Sequence, residues 1–314
     1  MAAVADRTAR RILAAGILAL AFGCDKAEHA SPDAGATPVD AEVKATPFDA
    51  STPKLAVHEE PKGPRCRIVS GENGPPRTAD PGTWLNLAAH ATFSTRVDET
   101  AREIRFEGPG RMRACGPDDV AFVSEGSAMA MPGGGEAPGA EQWVATACTV
   151  ARWAGGMHRV TGAAKECTIH SSLGAMQIYV AEDVVAEDVS SDAGAPKPFP
   201  AANGFTRIDT RQILRFRPRA ATSERAMIER ALVTCEQRAA DVARLGTELA
   251  SGAAQDGGFG VVAERSVTAR GLARAACALA AVRVDLGGAR PADAERLEKA
   301  SARFRGVTTA AKGP

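Results

Sequence analysis

The N-terminal segment Arg7–Cys24, which reads RTARRILAAGILALAFGC, constrains the chain most because it predicts the compartment in which the remainder folds. Its arginines form a basic n-region, Ile12–Phe22 form an apolar h-region, and a cysteine follows directly after Gly23. This order is typical of a bacterial export signal. The apolar run has 11 residues, well short of the roughly 20 that a spanning helix needs. We therefore expect the chain to fold outside the cytoplasm, where disulfides form and persist.

The end of this segment resembles the lipobox of bacterial lipoproteins. The resemblance implies that residues 1–23 are a signal peptide and that Cys24 becomes the acylated N-terminus. Two positions depart from the lipobox, because Ala21 stands where Leu is usual and Phe22 where a small residue is usual. Residues 19–21, which read ALA, also fit ordinary A-x-A cleavage, which would give a secreted chain without a lipid. We predict lipidation at Cys24 and anchoring to the cell envelope facing the periplasm, without assigning the inner or the outer membrane.

Residues 24–64 are rich in Pro, Ala, Thr and charged residues and have almost no apolar periodicity. Such a segment cannot bury enough surface to offset the entropy of ordering it. We predict a disordered tether that spans roughly 35 Å as a flexible coil. This length would hold a folded domain away from the membrane.

The chain has seven cysteines, and lipidation of Cys24 would leave an even set of six. An even number in an exported chain indicates disulfides, and the candidates are Cys66, Cys115, Cys148, Cys167, Cys235 and Cys277. We predict a bond between Cys235 and Cys277, which lie on two consecutive predicted helices joined by a glycine-rich loop. We expect Cys148 and Cys167 to be the least likely partners of each other. In a β meander they would lie two strand spacings apart, about 9.6 Å, which exceeds the ~7 Å Cα limit of a disulfide.

Residues 65–189 contain short alternating runs of polar and apolar residues separated by Gly and Pro. About eight such runs at roughly ten-residue spacing predict an antiparallel β domain, either a sandwich or a roll. The runs at 103–107 and 111–115, with Gly-Pro-Gly between them, predict a hairpin. The predicted core includes Ile104, Phe106, Val144, Val160, Ile169, Met176 and Ile178.

Three stretches of this region, 144–150, 153–160 and 167–180, have a distinctive order of strands and glycines. A V-x-T strand is followed by a Gly-containing turn, a strand that ends in Val160, and a final pair of strands around Gly174. This order resembles the periplasmic β domain of the FecR family, over about residues 82–189. The resemblance implies a β module that contacts other envelope components. The resemblance covers neither the cytoplasmic segment nor the spanning helix through which FecR proteins regulate a sigma factor.

Residues 190–205 are rich in proline and predict a linker, and residues 206–314 predict a small basic helical region. Apolar residues recur at heptad spacing from Ile228 to Leu249, with Thr222 or Ser223 as the N-cap. A second helix is predicted over 262–286, and a third begins at Pro291 and stops at Gly306. The fold class is therefore α+β, with a helical hairpin or three-helix region after the β domain.

The charge of the chain is unevenly distributed. Residues 206–314 contain 19 Lys and Arg against 12 Asp and Glu, a net charge of 19 − 12 = +7 in a chain whose total is zero. This excess fits a surface that faces anionic lipid or polysaccharide. The alternative is that arginine is simply common in a GC-rich genome and that the charged helix faces are only solvated.

The sequence contains no recognisable catalytic motif, so we predict no catalytic residue, no cofactor and no nucleic-acid partner. Cys148, His158, Cys167 and His170 could imitate a zinc set, but they lack a C-x-x-C pair, and we predict no metal site.

We expect a non-catalytic binding or scaffold module with an envelope protein or a glycan as partner. The alternative is an envelope hydrolase with a dispersed active site. It would be favoured by a free, exposed cysteine at 115, 148 or 167 within hydrogen-bond reach of His158 or His170.

Overall fold

The structure is a computed structural model that describes residues 66–76, 79–80, 82–96, 103–131, 141–163, 165–190, 195–200, 204–220, 222–251, 259–288 and 290–310. The predicted signal peptide, Cys24 and the predicted tether lie outside the described residues. So does most of the glycine-rich loop between the first two helices. No helix in the described ranges is long and apolar enough to cross a bilayer.

The described residues form an α+β fold, in which fourteen strands make one curled, mostly antiparallel sheet and three helices follow. The strands are Arg67–Glu72 (β1), Trp84–Leu87 (β2), Thr92–Arg96 (β3), Ile104–Arg113 (β4), Val120–Ala130 (β5), Gln142–Ala145 (β6), Thr149–Trp153 (β7), Met157–Gly162 (β8), Cys167–Leu173 (β9), Met176–Val180 (β10), Val184–Asp188 (β11), Lys197–Pro198 (β12), Phe205–Ile208 (β13) and Gln212–Pro218 (β14). The helices are Glu224–Ala250 (α1), Phe259–Leu286 (α2) and Pro291–Ala310 (α3).

The sheet divides at β5. Residues 120–122 of this strand pair in parallel with β6, and residues 126–129 pair antiparallel with β8. We name β6, β7, β10 and β13 branch A, and β8, β9, β14, β11 and β12 branch B. The other edge of β5 pairs with β4, to which β2 and β3 are joined. Because the sheet curls, the branches face each other, and the ring centroids of Trp153 in β7 and His158 in β8 are 5.6 Å apart.

The predicted core residues are buried, as the alternating pattern indicates. The predicted hairpin over 103–115 is wrong, because these residues form the single strand β4, whose pairing with β5 is irregular between Glu107 and Met112. The glycines serve close backbone approach instead of a turn. A Cβ atom at Gly108 would collide with Ala88 O, and one at Gly110 would collide with Glu125 O.

The sheet continues past the predicted boundary at residue 189. β13 pairs with β10 at the edge of branch A, and β14 lies between β9 and β11 inside branch B. Leu214 and Phe216 of β14 are fully buried, whereas Arg217 is exposed. Residues 205–218 therefore belong to the sheet, and the predicted linker contains the short strand β12 and leads into β13.

The helices follow the predicted pattern closely. The side chain of Ser223 caps α1 by accepting a hydrogen bond from Ala226 N, and the heptad positions Ile228, Leu232, Cys235, Ala239 and Val242 are buried. The predicted stop at Gly306 is wrong, because α3 continues to Ala310.

Helix α2 is packed on two sides, which explains its alanine-rich sequence. One face, with Ala273, Cys277, Ala280 and Val284, packs with α1 and α3. Another face, with Ala275, Ala278, Leu279 and Val282, joins the core of the sheet. The small side chains of the first face allow α1 to approach closely, and Cys277 on that face is bonded to Cys235 of α1.

Candidate functional site

Four of the six candidate disulfide cysteines are bonded. Cys235 and Cys277 join α1 to α2 with a Cα–Cα distance of 4.6 Å, which confirms the predicted pair. Cys66 is bonded to Cys115 and joins the start of β1 to the chain just after β4, with a Cα–Cα distance of 5.7 Å.

Cys148 and Cys167 are free and buried, and they lie side by side. They are not bonded to each other, in agreement with the expectation, but the strand order behind that expectation is wrong. β7 pairs with β6 and β10, and it does not lie beside β8 in a meander. The interaction between the two neighbouring thiols lowers the pKa of Cys167 and, together with burial, raises the pKa of Cys148.

His158 and His170, the two histidines considered for a hydrolase site, do not lie beside an exposed thiol. His158 is buried, donates from Nε2 to Gly155 O at 2.8 Å, and packs on Trp153. Burial lowers the pKa of His158 against the opposing effect of the Gly155 hydrogen bond. His170 is exposed on β9, and its Nε2 is 3.5 Å from the hydroxyl of Ser172.

Cys115 is bonded and the two free thiols are buried, so none of the three named cysteines is both free and exposed. Across the described ranges, no three His, Cys, Asp or Glu side chains cluster closely enough to hold a metal ion.

Several arginines of the basic region are paired within the protein. Arg283 donates to both oxygens of Asp183, Arg296 binds Glu229 and Glu236, and Arg305 binds both oxygens of Asp118. Arg274 lies over the Trp143 ring, 4.4 Å from its centroid, and donates to Asp118 O. Much of the positive charge therefore holds the helices to one another and to the sheet. These contacts favour a structural role for these arginines over a surface for anionic lipid.

One end of the curled sheet has the geometry of a binding surface. Three turns meet there: 154–156 between β7 and β8, 174–175 between β9 and β10, and 209–211 between β13 and β14. We name these turns, together with the adjoining Met157 and Leu173, the three-turn end.

Hydrogen bonds join two of these turns. Gly174 N donates to Thr210 Oγ1 at 3.1 Å, and Thr210 Oγ1 donates to Gly174 O at 3.2 Å. Arg211 N donates to Ser171 O at 2.6 Å, and Ser171 Oγ donates to Gly174 O at 3.0 Å. These hydrogen bonds fix the backbone of the two turns relative to each other.

Glycine is required where the first two turns touch. Gly156 and Gly174 have φ values of 104° and 83°, which side chains rarely adopt. A Cβ atom at Gly156 would collide with Leu173 O, and one at Gly174 would lie 3.2 Å from Gly156 Cα.

The three-turn end exposes two large apolar side chains next to each other. Met157 and Leu173 are paired in register across β8 and β9 and are 38% and 57% exposed. The same end of the sheet has a cleft of about 250 Å³, which is lined by Ala154, Ala175, Arg152 and Glu141 among others. Neighbouring exposed apolar side chains on a rigid support are typical of protein-binding surfaces.

The sequence prediction did not identify the three-turn end. The sequence did contain a signal for this surface. Met157 and Leu173 are large apolar residues that each adjoin a turn glycine, where a polar residue is usual. The two residues are neighbours because of the β8–β9 register. The sequence alone does not predict that register.

Comparisons with known proteins give little similarity. No family model matches the chain, and no curated protein matches it. Two solved structures from Parabacteroides distasonis, of a protein described as an anti-sigma factor, are similar to part of the chain at 12% and 13% identity. They cover 44% and 49% of this chain, which spans 57% and 61% of theirs, and both have a TM-score of 0.20. That TM-score is too low to indicate a shared fold or function.

Proposed function

We propose that the chain is a lipid-anchored, non-catalytic binding module of the bacterial cell envelope and that its three-turn end docks a protein partner. The observation that carries the proposal is the exposed pair Met157 and Leu173, held side by side in register by β8 and β9. A protein partner fits this pair better than a glycan does, because apolar anchors supply much of the binding energy of protein interfaces.

Preorganisation supports the same proposal. The turns that carry the apolar pair are held by Thr210 and Ser171, and the glycines at 156 and 174 allow them to touch. A surface that is already ordered loses little conformational entropy when it binds, so more of the contact energy contributes to affinity.

The N-terminal segment supplies the rest of the proposal. Acylation at Cys24 would fix the chain to a membrane, and residues 25–64 would act as a tether between the lipid and the described domain. Such a tether raises the effective concentration of the domain near partners in the envelope. The β domain, which resembles that of FecR proteins over residues 82–189, would present the three-turn end to the partner.

Site-specific photocrosslinking in intact cells tests the proposal. A benzophenone amino acid replaces Met157 in the full chain, and the control position is Val267 on α2, which is 71% exposed and thus at least as accessible. We expect a discrete protein adduct from position 157 and none from position 267. The substitution Leu173→Asp, added to the position-157 variant, should weaken the adduct at least tenfold because it charges the neighbouring contact.

Three results would contradict the proposal. They are an adduct of equal strength from position 267, an adduct with polysaccharide in place of protein, and an adduct that is unchanged by Leu173→Asp. The disulfides of each variant are mapped, so that loss of the adduct through misfolding is recognised.

A further inference from the structure

We propose that Cys148 and Cys167 are a site of covalent oxidation, where a third disulfide forms and joins branch A directly to branch B. The other four described cysteines are already bonded, so the six would then form three bonds. The inference does not depend on the proposed function, because it concerns the interior of the sheet and not the three-turn end.

The geometry places the two sulfurs together. Cys148 lies in the turn between β6 and β7, and its Sγ is 3.9 Å from Phe216 O. Phe216 is paired directly with Cys167 in the β14–β9 register. Such directly opposed residues have Cα atoms about 4.5–5.5 Å apart. Cys148 Sγ therefore lies near the first residue of β9, and each of the two thiols shifts the pKa of the other.

The turn that carries Cys148 is well fixed. Thr146 Oγ1 accepts hydrogen bonds from Cys148 N at 3.3 Å and from Thr149 N at 3.2 Å. Arg283 Nε donates to Ala147 O at 2.9 Å. These bonds fix the backbone of the turn on which Cys148 lies.

The electrostatics of the pair favour one sulfur as the first nucleophile. The neighbouring Cys148 thiol lowers the pKa of Cys167, and the thiolate is the reactive form of cysteine. Cys148 keeps its proton until the second step, because its interaction with Cys167 raises its pKa.

The oxidant is an external disulfide, such as glutathione disulfide or the disulfide of an oxidoreductase. The Cys167 thiolate attacks one sulfur of the oxidant, releases one thiolate, and becomes a mixed disulfide. Cys148 then loses its proton and attacks Cys167 Sγ, which expels the second thiolate. Two electrons pass from the protein to the oxidant, two thiol protons are released, one S–S bond forms, and one S–S bond breaks.

Burial determines when the reaction occurs. Cys148 and Cys167 are 2% and 1% exposed, so an external disulfide does not reach them in the closed sheet. Oxidation therefore takes place after the two thiols have met and before the surrounding strands close over them. Once formed, the bond is protected from reductants by the same burial.

Refolding of the full chain tests the inference and removes the question of access. The denatured, reduced chain is refolded in a glutathione redox buffer, alkylated with N-ethylmaleimide in denaturant, and mapped by mass spectrometry without reduction. We expect the peptide of Cys148 to be linked to the peptide of Cys167, in addition to the two bonds present in the structure. We also expect the melting temperature to exceed that of the Cys148→Ala, Cys167→Ala double variant refolded in the same way.

Matched single variants distinguish the pair from incidental oxidation. Cys148→Ala should leave Cys167 alkylatable, and Cys167→Ala should leave Cys148 alkylatable, with the other two disulfides intact. Two results would overturn the inference. One is alkylation of both cysteines in refolded wild type that carries the other two disulfides, and the other is a bond from Cys148 to any cysteine except Cys167.

Discussion

Asp183, at the turn between β10 and β11, accepts hydrogen bonds on both carboxylate oxygens from Arg283 of α2, at 2.8 Å and 2.9 Å. Both residues are buried, at 1% and 5% exposure. Two further N–H groups of Arg283 bind Ala147 O and Met227 O, each at 2.9 Å. One guanidinium therefore holds α2 to the β10–β11 turn, the β6–β7 turn and α1.

We expect Arg283→Ala to lower the free energy of unfolding by about 3–5 kcal/mol, because it leaves the Asp183 carboxylate buried without its partner. Urea unfolding followed by circular dichroism measures the change. The control Arg305→Ala breaks a partly exposed pair with Asp118 and should change stability by about 1 kcal/mol or less. The double variant Arg283→Met, Asp183→Leu should recover most of the loss, since it removes both buried charges. A single variant no less stable than the control would show that this ion pair does not hold the layers together.

His158 should make stability depend on pH in the mildly acidic range. Its pKa in the folded protein lies below the ordinary value of 6.5 because the ring is buried, and its Nδ1 has no hydrogen-bond partner among the described residues. Below about pH 6.5 the unfolded chain binds a proton at this ring that the folded protein does not yet bind. The contribution of His158 is therefore fully present above that pH and is lost as the pH falls through the lowered value.

Melting temperatures measured from pH 8 to pH 4.5 check this expectation. His158→Gln should flatten the fall below pH 6.5, whereas the exposed control His170→Gln should leave it unchanged. An identical pH dependence in wild type and His158→Gln would show that other groups cause the fall.

Acylation at Cys24 is tested by metabolic labelling with radioactive palmitate. Wild type should incorporate the label and remain with the membrane fraction, because the n-region, the h-region and the Gly23–Cys24 junction agree with a lipoprotein signal. Cys24→Ala should lose both properties. Equal labelling of the variant would show that the label is not on Cys24. Release of an unlabelled wild type would favour cleavage after Ala21 and a secreted chain.

The parts of the fold that local patterns determine were predictable from the sequence. The helical heptads follow from a 3.6-residue period, and the bond between Cys235 and Cys277 was expected from their places on consecutive helices. The cap was expected at Thr222 or Ser223 from residue type, and the structure has it at Ser223. The buried positions of the strands follow from alternation in the same way.

The arrangement of the sheet was not predictable, because it depends on pairing between distant residues. The parallel pairing of β5 with β6, and the insertion of β14 between β9 and β11, leave no local signal. The meeting of Cys148 with Cys167 and of Met157 with Leu173 depends on that pairing. A one-strand error in the assumed order is enough to separate the two thiols.

The position of β14 has a consequence for how this protein is made. It is the last strand of the described chain, yet it is hydrogen-bonded on both sides, to β9 and to β11. Branch B therefore stays incomplete until the chain has been synthesised as far as residue 218. A truncated chain that ends at residue 189 would leave β9 and β11 with open edges, which invite pairing with other chains. The segment that leads to the helices is therefore part of the sheet, and the sheet is complete only at Pro218.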